Sequence, residues 1–203
     1  MRRSLGIMLI VWCLLSGVSC QQHQAGSILP KDVCLKPGDV VFRRGEGITS
    51  RIVLTADRQG NYSHAGIVVD SCGVKMIVHI VPDEDNCQGD SDRVKMERPE
   101  QFFAATYATI GEVCRSTDSV LAREASRVAK TVYRQRIMFD HEYNETDTTR
   151  MYCTELVEYV FSRAGHSLAD DRRHTVNLPF LHTTCIMPSD IYGSRLLRSV
   201  KAF

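Results

Sequence analysis

The chain has 203 residues, 43% hydrophobic and 24% charged, with a formal net charge of +1. That composition suits one globular domain with a buried core and argues against disorder and repeats. A charge so near zero offers no basic field, so nucleic acid is not an expected partner.

The first twenty residues read as an export signal, with Arg2 and Arg3 as the positive start, an apolar run from Leu5 to Leu15, and a small-residue exit Ser16-Gly17-Val18-Ser19-Cys20. The run is too short for a membrane anchor, which takes about 20 apolar residues. Losing both arginines with it takes the formal charge from +1 to −1. Cys20 ends the apolar segment and precedes a polar tether, residues 21–34, so it is a candidate lipid-accepting cysteine of the bacterial lipoprotein kind. Gly17 stands where such signals usually carry Leu, which keeps simple cleavage near Ser19 open. The remaining chain, 35–203, is expected to be one domain in the bacterial periplasm or outer cell envelope.

Within it, Leu35-Lys36-Pro37-Gly38-Asp39 is turn chemistry and Val40-Val41-Phe42 a short apolar strand, followed by the loop Arg43-Arg44-Gly45-Glu46-Gly47. A short helix is expected over Ile48 to Ala56. Two β-rich runs, Ala65 to Val69 and Val74 to Val81, flank Asp70-Ser71-Cys72-Gly73 and predict a hairpin that ends at Pro82. Asp83 to Glu97 reads as an irregular, exposed acidic segment. Thr117-Asp118 predicts the cap of a helix reaching about Arg136, with Leu121, Ala125, Val128 and Val132 at helical spacing. A polar loop from Asp140 to Arg150, with Asp140 and Asp147 as turn residues, leads into a helix opened by Cys153 and closed at Gly165. Pro188-Ser189-Asp190 predicts a last helix to about Val200. Hairpins with two packed helices make an α+β domain.

Cys153 and His64 carry the chemistry. A thiol in the first turn of a helix meets free backbone N–H groups and about half a positive charge, which favour thiolate and can hold an oxyanion. An imidazole opening a strand, as in Tyr62-Ser63-His64-Ala65-Gly66-Ile67, supplies the base. Here the histidine precedes the cysteine, the reverse of papain. His79 lies on the returning strand of the hairpin, where it can come beside His64 and orient its ring. Glu155 is expected to cap the Cys153 helix, and Tyr152 is a candidate either to line a substrate cleft or simply to pack.

The chain contains eight cysteines. With Cys13 in the signal, Cys20 a lipid acceptor and Cys153 a nucleophile, Cys34, Cys72, Cys87, Cys114 and Cys185 are left, an odd set read mainly as small hydrophobes. No His-Glu-x-x-His, Walker or dinucleotide glycine pattern occurs, so no metal or cofactor is implied.

The runs Gly38-Asp39-Val40-Val41-Phe42, Ser63-His64-Ala65-Gly66-Ile67, Tyr152-Cys153-Thr154-Glu155-Leu156-Val157 and Pro188-Ser189-Asp190 resemble, in order, the permuted papain-like amidases of the YiiX/YaeF type, relatives of the NlpC-type cell-wall peptidases. The resemblance spans roughly Leu35 to Val200. It implies a circularly permuted papain-like (NlpC-type) fold, a curled antiparallel sheet packed on the nucleophile helix, with Cys153 as nucleophile, His64 as base and His79 as the third member. Many permuted members place Glu at that third position, and a neutral His79 would orient His64 without adding a negative charge. The implied activity is amide hydrolysis through a thioester, on peptides of the cell wall. Two alternatives stay open: a lipid acyl hydrolase or acyltransferase of the same fold, acting on a lipid substrate behind an apolar cleft rim, and a binding module without turnover.

Overall fold

The structure, a computed structural model, describes residues 26–82, 84, 92–147, 149–178 and 181–203. The signal, Cys20, residues 21–25 of the tether, Cys87 and most of the acidic segment lie outside the described residues. In chain order the elements are β1 (Val40–Arg44), α1 (Ile48–Ala56), β2 (His64–Ser71), β3 (Val74–His79), β4 (Lys95–Glu97), α2 (Pro99–Phe102), β5 (Ile110–Ser116), α3 (Ser119–Gln135), β6 (Met138–Phe139), β7 (Arg150–Met151), α4 (Cys153–Ala164), β8 (His174–Leu178), β9 (Leu181–Cys185), α5 (Pro188–Tyr192) and β10 (Leu197–Ala202).

Six strands form one sheet in the order β10-β5-β1-β2-β3-β4, antiparallel throughout. Successive side chains of a strand point to opposite faces, and both faces are covered. On one, Val40, Phe42, Ala65, Ile67 and Val69 join a core with Leu121, Ala125 and Val132 of α3 and Leu156, Val160 and Phe161 of α4. On the other, Val41, Val68, Ile77 and Val113 pack against Phe102, Phe103 and the chain entering the domain at Ile28, Leu29 and Val33. The architecture is α+β.

The helices form for the reasons legible in their caps. The Asp118 carboxylate accepts from the N–H groups of Val120 and Leu121 at the start of α3, and Arg136 ends that helix in the left-handed region at φ 55. Gly165 ends α4 at φ 121. The β2-β3 hairpin turns on two residues, Cys72 and Gly73, both at positive φ, the geometry that matches the twist of the strands.

Asp39 is buried and holds Arg115 through two bonds of 2.7 and 2.8 Å while accepting from the Lys36 N–H at 2.7 Å. Gly38, at φ +87, lets this turn lie on α3, since a Cβ there would sit 2.2 Å from the Ala122 carbonyl oxygen. Gly38→Ala is therefore expected to destabilise the domain by about 3 kcal/mol or more, read as a thermal midpoint lowered by about 6 °C or more.

Three expectations change. Residues up to Glu97 do not all belong to an irregular segment, because Lys95–Glu97 pairs with β3 as the sheet edge. The last helix stops at Tyr192 rather than near Val200, because Leu197–Ala202 instead pairs with β5. Arg43 is not in a loop: β1 runs through Arg44, and Arg43 is paired with His64.

Candidate active site

Cys153 begins α4, and His64 begins β2, and both line one cleft of about 400 Å³. The register sets the rest. His64 lies opposite Arg43 across the β1-β2 pair, with both side chains on the sheet face away from α3 and α4. His79 returns on β3 over Gly66, where an added Cβ would come within 3.1 Å of the His79 Cβ and 2.8 Å of Ile77. The glycine of His64-Ala65-Gly66 thus makes room for the second histidine.

His64 Nε2 lies 2.9 Å from His79 Nδ1, and His79 Nε2 lies 2.8 Å from Glu97 Oε1. Both rings are buried, and Phe102 packs against each, stacked on His64 and edge-on to His79. The Glu97 carboxyl is depressed overall: burial pushes it up, but the charge and hydrogen bond of His79, with Arg43 and Lys95, outweigh that. An ionised Glu97 accepts only, so the His79 Nε2–H donates to it, and in the neutral form of His79 the Nδ1 lone pair is free to accept. That lone pair accepts the His64 Nε2–H, which leaves His64 Nδ1 as the basic nitrogen. With His79 neutral, the row Glu97-His79-His64 selects one tautomer of the base.

The sulfur of Cys153 faces the backbone N–H groups of Ala65, Thr154 and its own residue. Those groups and Arg43 favour the thiolate, yet burial is the larger influence and the thiol is pushed up, contrary to the expectation of a low thiol pKa. His64 is held well below 6.5, first by burial, then by Arg43, His79 and Lys95. Each charge is disfavoured by burial, which favours a protonated thiol and an uncharged imidazole in the cleft.

Tyr152 is buried on the cleft wall, its hydroxyl donating to Glu145 Oε1 and accepting from the Ile186 N–H, each at 2.9 Å. Glu155 Oε2 accepts from the Tyr152 N–H at 3.2 Å, the expected capping contact. Its carboxyl is pushed up to about 8 by burial, against the pull of that N–H, with Glu145, Asp140 and Asp147 raising it further. A carboxyl that keeps its proton only when folded loses stability for the fold as pH rises from about 4.5 to about 8. Glu155→Gln keeps the acceptor and is expected to raise the thermal midpoint more at about pH 9 than at about pH 5.

Asp140 accepts from Glu142 and Asn144, and Asp147 from Thr149, so both are turn residues. In Pro188-Ser189-Asp190, Asp190 accepts from the Met187 N–H and meets His174, and the Ser189 N–H donates to the buried Asp57. Cys34, Cys72, Cys114, Cys153 and Cys185 are free thiols, with Cys114 and Cys185 buried. The sequence reading missed Glu97 and Arg43. The alternation Lys95-Met96-Glu97 before Pro99 was the one local sign of a strand there.

The fold has a counterpart among solved structures. The metalloprotein YiiX of Escherichia coli O157:H7 matches with a TM-score of 0.65 over 88% of this chain and 97% of that one, at 17% sequence identity. The chain has the YiiX fold. No family model and no curated protein matches the sequence, so the YiiX likeness is one of structure.

Proposed function

We propose that the protein is a cysteine hydrolase with a permuted papain-like site, in which Cys153 is the nucleophile, His64 the base and His79 the orienting residue, with Glu97 behind it. The observation that carries this reading is the unbroken row from Glu97 to His64, 2.8 and 2.9 Å per step, ending in the cleft that holds Cys153. Cys153 Sγ attacks the acyl carbon as its proton passes to His64 Nδ1. The oxyanion takes hydrogen bonds from backbone N–H groups in the first turn of α4. The C–N bond then breaks, His64 gives its proton to the leaving amine, and a water activated by His64 hydrolyses the thioester.

Beside Cys153, Ile52, Val53, Val176 and Met187 help enclose a hollow of about 40 Å³, room there for a small side chain, which fits an amide substrate such as a cell-wall peptide. The lipid reading has one observation of its own, Ile48 at 80% exposure on the cleft rim. Export and tethering through Cys20 remain the sequence's proposal for where this happens.

YiiX is described as a metalloprotein. Among the described residues no group of three or more His, Cys, Asp or Glu side chains is arranged to hold a metal ion. His64, His79 and Glu97 run in a line with the facing nitrogens committed to one another. These residues do not fit a metal ion.

The test is a burst assay with p-nitrophenyl acetate and intact-mass analysis. The expected result is a stoichiometric burst with an acetyl group on Cys153, absent in Cys153→Ala. No burst, or the same adduct in the variant, overturns the hydrolase reading.

A further inference from the structure

Arg43 is only 2% exposed, yet its guanidinium borders the cleft shared by Cys153 and His64. Nη1 donates to the Phe102 carbonyl at 2.6 Å, and Nη2 meets Glu84 Oε1 at 2.5 Å. The head lies over the Phe102 ring at 4.7 Å and the Tyr107 ring at 5.5 Å. Burying a guanidinium costs several kcal/mol unless it is paired. Here its counter-ion comes from no helix or strand, but from Glu84, in the connection between β3 and β4, which borders the same cleft and is 20% exposed. The position is also unfavourable for the chemistry, since a cation opposite His64 opposes the imidazolium that acyl transfer requires. Glu84 offsets the charge of Arg43 from a connection that borders the cleft, and a carboxylate on the substrate can replace it on the fork-shaped donor face of Arg43, keeping that charge offset when the imidazolium forms.

We propose that Arg43 is a substrate-specificity residue that binds a carboxylate on the acyl substrate, and that Glu84 occupies this position until the substrate carboxylate displaces it. This rests on the hydrolase reading for the identity of the cleft, and it narrows the substrate class to acidic acyl amides, such as a peptide with a free carboxylate near the scissile bond.

The experiment compares N-iodoacetylglycine with N-iodoacetylglycinamide, one alkylating group with and without a carboxylate. Labelling is followed by mass spectrometry, with the exposed Cys34 and Cys72 as references in the same molecule. The acid-to-amide rate ratio at Cys153 is expected to exceed that at Cys72 by about tenfold or more and to saturate with reagent. It falls to the reference ratio in Arg43→Gln and rises in Glu84→Gln, which leaves the guanidinium in place should Arg43→Gln fail to fold. Equal ratios at Cys153 and Cys72 in the wild type overturn the proposal and leave the hydrolase reading untouched. If neither reagent labels Cys153, the hydrolase reading fails instead. The carboxylate site is then decided by thermal shift, with N-acetylglycine expected to stabilise Glu84→Gln more than N-acetylglycinamide does, and equal shifts counting against it.

Discussion

Replacing His64 with Ala is expected to lower kcat/KM for acyl transfer by about 10³-fold or more, and replacing Cys153 with Ala to bring it to background. The two losses should not add, because the residues act as one unit: the double variant is expected to match Cys153→Ala alone. The pH profile gives a sharper test. Acyl transfer needs the pair to hold one proton, whether that proton sits on sulfur or on nitrogen. The lower limit is the pKa of His64, held well below 6.5 by burial and by Arg43, His79 and Lys95. The upper limit is that of Cys153, pushed above its ordinary value by burial. A log plot of kcat/KM against pH should therefore stay level through neutrality, with its acid limb well under 6.5 and its alkaline limb above the usual thiol range. An acid limb at 6.5 or higher would show that His64 is not the buried base of the free enzyme.

The parts of this site that could be read from sequence were those whose signals are local. The thiol at the start of α4 is marked by the helical spacing of Leu156, Val157, Val160 and Phe161, and the α3 cap by Asp118. His64 and His79 followed from a hairpin whose turn residues stand between them. What was missed depends on pairing between distant segments. Glu97 has meaning only because β4 closes the sheet edge beside β3, and in sequence it follows a run of acidic residues that reads as solvated. Arg43 looked like the first residue of a charged loop, and only its register with His64 and the aromatic wall of Phe102 and Tyr107 explain a buried cation. β10 was mistaken for helix because Leu197–Ala202 is mostly exposed and lacks a clean alternation, so its pairing with β5, not its composition, decides its state.

The row behind His64 gives the second large effect. His79→Ala removes the acceptor for the His64 Nε2–H and is expected to cost about 10²- to 10⁴-fold in kcat, as the loss of a tautomer-fixing partner does. His79→Gln offers an amide oxygen to that N–H and should recover most of the loss if orientation is the role, whereas a packing role would be no better served by Gln than by Ala. Glu97 separates charge from tautomer. Glu97→Gln can still accept from the His79 Nε2–H but lacks the negative charge that faces the imidazolium through His79, so a drop in kcat of about tenfold is expected with an acid limb moved lower. Glu97→Ala removes both influences and should fall further, because the His79 Nε2–H then has no carboxylate to fix its direction and His64 can present a protonated Nδ1 to the thiol. If kcat and the acid limb are unchanged in both Glu97 variants, Glu97 is an edge-strand residue that happens to meet His79, and His79 alone sets the orientation of the base.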